Sequence, residues 1–136
     1  MSETKKILIV DDEEQSRLYL ASIVNELHPE LSIQLAATPA EALFLLNKEC
    51  MDVVFIDVEM PGMTGLEMLE KLRGINANLP VIFVSAYKRA EFIQKAMRLG
   101  AVDYIDKPVD PIELESALQK ILQFKITSLQ TKSKAQ

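Results

Sequence analysis

Apolar residues along the chain fall into short runs separated by longer stretches with helical spacing. Ile7-Leu8-Ile9-Val10, Val53-Val54-Phe55-Ile56 and Val81-Ile82-Phe83-Val84 are apolar at every position, as strands covered on both faces are. With two shorter candidates, the pattern predicts strands over residues 6–10, 33–36, 53–56, 81–84 and 103–105. Strands alternating with helical stretches read as five βα units building a parallel sheet, which is an α/β fold.

The helices are marked by spacing and by start signals. Leu18, Ala21, Val24 and Leu27 recur at intervals of three, predicting an amphipathic helix over 14–27 that ends before Pro29. In Thr38-Pro39-Ala40-Glu41 the hydroxyl caps the next helix, proline fits its first turn, and Glu41 reaches back to complete a capping box. Asp110-Pro111-Ile112-Glu113 repeats the signal before a last helix with an apolar stripe of Leu114, Ala117 or Leu118, and Ile121 or Leu122. Two further helices are expected over 66–72 and 89–99, the second closed by Gly100. After Phe124 the polar sequence KITSLQTKSKAQ reads as a frayed helix end or linker, which divides the chain into a domain over 1–124 and a tail over 125–136.

Composition narrows the class. The chain has 136 residues, 49% of them hydrophobic, and suits one domain able to bury its own core. A single Cys50 offers neither an internal disulfide nor, without clustered histidines, a zinc site. The opening MSETKK lacks the apolar stretch of a secretory signal, so a cytoplasmic location is expected. No apolar run approaches the ~20 residues that span a bilayer, which speaks against membrane insertion. Twenty acidic against fifteen basic residues give a formal charge of −5, a balance that argues against direct nucleic-acid binding by this domain.

In an open α/β sheet, ligands bind beyond the carboxyl ends of the strands. Those ends carry Asp11-Asp12, Asp57, Ser85 and, after the fifth strand, Asp106-Lys107-Pro108. Each alone has a mundane explanation as a helix cap or a solvated charge. Adjacent carboxylates, however, raise one another's pKa unless a cation or hydrogen bonds compensate, and Asp57 follows a wholly apolar run. If the first and third strands are neighbours, three carboxylates converge into an oxygen-rich site suited to Mg2+, with Mn2+ able to substitute. With its charge offset, one carboxylate can stay ionised and attack phosphorus. Ser85 and Lys107 supply a hydroxyl and an ammonium for the phosphoryl oxygens.

Taken together, Ile9-Val10-Asp11-Asp12-Glu13, the stretch from Ile56-Asp57 through Glu59-Met60-Pro61-Gly62 to Thr64-Gly65, Val84-Ser85-Ala86 and Tyr104-Ile105-Asp106-Lys107-Pro108 resemble, motif by motif, the receiver domains of two-component response regulators. The resemblance covers about residues 5 to 124. It implies a (βα)5 flavodoxin-like domain with strand order 2-1-3-4-5 that takes a phosphoryl group from the phosphohistidine of a sensor histidine kinase or a histidine phosphotransfer protein. It further implies Asp57 as phosphoacceptor, Asp12 and Asp57 as side-chain metal ligands, the backbone carbonyl of Glu59 as another, and Asp11 as an acid reaching the metal through water. Lys107 matches the phosphoryl-binding lysine, Ser85 the switch hydroxyl and Tyr104 the aromatic that turns inward on activation. The face of helix four, strand five and helix five is then expected to change, and a homodimer through that face is one consequence. Pro108 after Lys107 suggests a cis peptide, against the trans default.

Other residues carry less. His28, beside Pro29 at a helix end, reads as an exposed terminal residue, and the six methionines as core filler, with Met60 and Met63 partly exposed. Glu59, with Tyr87, is placed to tune attack of water on the acyl phosphate. Three other readings compete. A phosphatase of the haloacid dehalogenase type would need Gly-Thr where Met60-Pro61 stands, and a mononucleotide binder would find its phosphate repelled by Asp11-Asp12-Glu13. A degenerate receiver would have no use for the full set of acids, hydroxyl and lysine. What the domain controls is left open between a stand-alone regulator, a piece of a hybrid kinase and the front of a DNA-binding regulator.

Overall fold

The computed structural model describes residues 4–86 and 89–134, with side chains through Leu122. Five strands, β1 (Lys6–Val10), β2 (Ser32–Ala36), β3 (Val53–Asp57), β4 (Val81–Ser85) and β5 (Asp103–Asp106), alternate with helices α1 (Glu14–Leu27), α2 (Pro39–Lys48), α3 (Gly65–Ile75), α4 (Ala90–Arg98) and α5 (Pro111–Lys134). The strands form one parallel sheet in the order β2-β1-β3-β4-β5. This is the expected α/β arrangement. The order reverses between β1 and β3, so the crevice of the switch point opens there.

Alternation along each strand divides the core between two faces. Leu8, Val10, Val54, Ile56, Val81 and Phe83 point toward α2, α3 and α4, where Ala42, Leu69, Leu72 and Ala96 cover them. Ile7, Ile9, Val53, Phe55, Ile82 and Val84 point the other way, onto Leu20, Ile23 and Val24 of α1 and Leu114, Ala117, Leu118 and Ile121 of α5. The last helix thus buries the stripe its spacing predicts.

Several local expectations need correction. The buried stripe of α1 is Leu20, Ile23 and Val24, whereas Leu18 is 50% and Leu27 38% exposed. Steps of three residues fall about 60° short of a full turn each time, so a run of them winds off the buried face. At α2, Thr38 caps the Glu41 amide as expected, but the Glu41 carboxylate accepts from the Ala37 amide at 3.3 Å, leaving the box incomplete. The complete box stands at α3, between Thr64 and Glu67, and starts that helix earlier than expected. Gly100 does close α4 as expected, with φ +87°. Met60 is buried rather than partly exposed. His28 is not an exposed terminus: its ring is 13% exposed and lies 2.6 Å from Glu115 of α5 and 3.3 Å from Glu30. Beyond Phe124, where a frayed helix end or a linker is expected, α5 continues to Lys134, in line with the helical alternative.

Candidate functional site

The site forms where β1 and β3 end side by side. Ladder pairing of β1 stops at Val10, opposite Ala36 and Ile56. The next residue, Asp11, is buried, and its amide still reaches the Ala36 carbonyl at 3.1 Å. One oxygen of its carboxylate accepts from the Glu13 amide at 2.9 Å, the other from Lys107 Nζ at 2.9 Å. Arg17 Nη1 donates to the Asp11 carbonyl at 2.7 Å. Asp12 is exposed.

Asp57 closes β3 opposite Val84 and is buried. Its Oδ1 accepts from the Glu59 amide at 3.3 Å, and its Oδ2 lies 3.4 Å from Lys107 Nζ. The turn that follows is held close beneath it. The Gly65 amide donates to Val58 O at 2.7 Å, and a Cβ on Gly65 would stand 2.6 Å from the Asp57 carbonyl, so only glycine fits there. Lys107 is aimed from the end of β5, where its amide donates to the Ser85 carbonyl at 2.8 Å and its peptide to Pro108 is cis.

These contacts set the charge states. Burial pushes the Asp57 carboxyl up to about 6, with Lys107 pulling it down and Asp11 adding to the rise. Burial works against the Lys107 ammonium, but the hydrogen bond to Asp11 and the charges of Asp57 and Asp11 more than offset it and raise its pKa. One ammonium thus stands between two buried carboxylates. Oxygen atoms of Asp11, Asp12 and Asp57 lie within 4.8 Å of one another, an all-oxygen donor set fitting a hard divalent cation. A cleft of about 230 Å³, lined by Asp12, Glu13, Asp57, Glu59, Ala86 and Lys107, opens above them.

Ser85 sits deeper than these carboxylates, whereas Tyr104 is only partly buried. Ser85 is fully buried. Tyr104 packs against the core with its ring 6.2 Å from Phe83. Burial raises the Tyr104 phenol, a hydrogen bond with the Ser85 side chain lowers it, and Asp106, Glu59 and Asp57 raise it further. The structure therefore gathers Asp11, Asp12, Asp57, Glu59 and Lys107 at one cleft and links Ser85 to Tyr104. Tyr87 lies outside the described residues.

The family model of the response regulator receiver domain matches residues 7–119. The chain belongs to this family. Sporulation initiation phosphotransferase F of Bacillus subtilis is 37% identical over 121 residues, spanning 89% of this chain and 96% of that protein. The cyclic di-GMP phosphodiesterase response regulator RpfG of Xanthomonas campestris is 30% identical over 131 residues, 95% of this chain but 35% of that protein. Among solved structures, a CheY-like response regulator receiver domain protein from Methanospirillum hungatei matches with a TM-score of 0.83 at 28% identity, covering 93% of this chain and 99% of that one. The chain is accordingly a receiver domain of the two-component type, a signalling domain.

Arg17 went unnoticed in the sequence because a basic residue six positions after Asp11 belongs to no motif that chemistry dictates. The Thr64-x-x-Glu67 box was legible and is a standard helix-start signature.

Proposed function

We propose that Asp57 accepts a phosphoryl group from the phosphohistidine of a sensor histidine kinase or histidine phosphotransfer protein, in a Mg2+-dependent reaction. The observation that carries the proposal is the pairing of buried Asp57 with Asp11 across the Lys107 ammonium, beside exposed Asp12 in an open cleft. Asp11, Asp12, Asp57 and the Glu59 backbone carbonyl are the groups that would hold the cation. Bound there, Mg2+ would offset the carboxylate charge and that of the incoming phosphoryl oxygens.

Ionised Asp57 attacks phosphorus through one carboxylate oxygen. The O–P bond forms as the N–P bond of phosphohistidine breaks, and the electron pair returns to the imidazole nitrogen. Lys107 receives a phosphoryl oxygen in place of its contact with Asp57. Ser85 turns its hydroxyl from Tyr104 toward the new acceptor oxygens. Tyr104, released from that hydrogen bond, moves inward and alters the face formed by α4, β5 and α5. That face is where a homodimer or an output partner would engage. The only chemistry in this reading is the protein's own phosphorylation and dephosphorylation, the latter tuned by exposed Glu59. Leu18 and Tyr19 on α1 and Ile112 on α5 are exposed and offer apolar contact to a partner bearing the donor histidine. The receiver unit is taken as residues 1–124, with 125–136 extending beyond it.

Intact-mass analysis after incubation with acetyl phosphate tests the assignment. With Mg2+, wild type is expected to gain one phosphoryl mass, and Asp57→Asn none; chelator abolishes the gain. An undiminished adduct on Asp57→Asn, or none on wild type with any phosphodonor, overturns it.

A further inference from the structure

We propose that Arg17 is a positioning residue for the metal-facing end of β1, acting through the Asp11–Asp12 peptide on the carboxylate of Asp12. This rests on reading the cleft as the Mg2+ and phosphoryl site. Of the three carboxylates there, Asp11 and Asp57 are each held by Lys107. Asp12 makes no hydrogen bond or ion pair among the described residues, so its direction depends on its backbone.

That backbone is gripped on its Asp11 side by a side-chain donor. The Asp11 carbonyl lies past the last ladder pair of β1, and Arg17 Nη1 binds it at 2.7 Å, a length typical of a charge-assisted bond. Because a peptide is planar, fixing that carbonyl also fixes the bond from the Asp12 nitrogen to its Cα, from which the carboxylate projects. Arg17 is in turn tied to the same loop, since its amide donates to Glu13 O at 2.9 Å while the Glu13 amide binds Asp11 Oδ1 at 2.9 Å. Three hydrogen bonds thus close the segment from Asp11 to Glu13 onto the first turn of α1.

The simpler account makes Arg17 only a cation near an acidic cleft, and the two accounts differ in sign. Deleting a nearby positive charge should strengthen Mg2+ binding by Coulomb's law. Deleting a group that orients a ligand should weaken it, by about tenfold or more where such supporting groups have been removed.

Mg2+ titration of wild type, Arg17→Ala and Arg17→Lys, followed calorimetrically and through amide shifts, separates them. Arg17→Ala is expected to raise the Mg2+ dissociation constant about tenfold, and Arg17→Lys, which keeps one donor, to fall between. Phosphorylation by acetyl phosphate should need correspondingly more Mg2+ to reach half its maximal rate, with the rate at saturation within about twofold of wild type if only the metal site has loosened. In metal-free protein, amide hydrogen exchange at Asp12 and Glu13 should quicken in Arg17→Ala while the β3 amides stay unchanged. Equal or tighter Mg2+ binding by Arg17→Ala and Arg17→Lys overturns the proposal. Wild type that neither binds Mg2+ nor is phosphorylated overturns instead the reading of the cleft, and the positioning role with it.

Discussion

Asp57 bears an energetic cost that follows from its position. The burial that raises its carboxyl to about 6, against the pull of Lys107, disfavours the ionised form that nucleophilic attack requires. Between about pH 4 and 6 the folded protein binds a proton that the unfolded chain has released, so stability falls as pH rises through that window and the deficit persists at neutral pH. Asp57→Asn removes the charge and keeps the shape. Without metal, at pH 7, this variant is expected to exceed wild type in stability by about 1–2 kcal/mol, allowing for screening in an open cleft. Denaturant titrations should show the gap closing as pH falls toward 4, and equal midpoints at pH 7 would contradict the burial penalty. From the sequence, Asp57 was identifiable as an acid behind an apolar run. Its raised pKa was not, since that depends first on burial in the assembled fold, and then on the opposing charges of Lys107 and Asp11, 50 and 46 positions away in the chain.

Between elements, His28 shows how a side chain with no motif acquires a role. It follows α1, but its ring is enclosed between Glu30 and Glu115, so it joins the end of α1 to α5. Burial lowers its pKa, yet the hydrogen bonds and charges of Glu115 and Glu30 outweigh that and raise it overall. A histidine raised in the folded state adds stability below its unfolded pKa near 6.5, and that contribution is lost as pH rises through the folded value. His28→Gln should therefore be less stable than wild type at pH 6, by up to about 1 kcal/mol for a partly screened pair, and nearly equal to it at pH 9. A constant difference across that range would mean the ring acts by packing alone. Helix positions were largely legible because periodicity and caps are local signals. The buried face of α1 was misread because intervals of three suit several helix faces, and only the sheet against which α1 packs selects one.

At the scale of the molecule, a cation held in the acidic cleft would couple stability to metal. The folded chain gathers Asp11, Asp12 and Asp57, whereas the unfolded chain disperses them. A ligand that binds only the folded state stabilises it, by about 2.7 kcal/mol at a hundredfold excess over its dissociation constant. Thermal unfolding should accordingly shift upward with added Mg2+ and return on chelation, and Asp12→Ala should abolish most of the shift. A midpoint indifferent to Mg2+ in wild type would remove the cation from the site. No helix among the described residues is long and apolar enough to cross a membrane.

The sequence by itself determined the alternation of strand and helix, and therefore which residues stand at strand ends, because apolar runs, periodicity and start signals act within a few residues of one another. It also determined the inventory of acids, hydroxyl and lysine at those ends, which was enough to suggest the family. Only the tertiary structure decided that β1 and β3 lie side by side, that one ammonium serves both Asp11 and Asp57, that Ser85 is linked to Tyr104, and that Arg17 grips the peptide behind Asp12. Distances and dielectric surroundings set these interactions, and residues distant in the chain acquire both only when the sheet assembles.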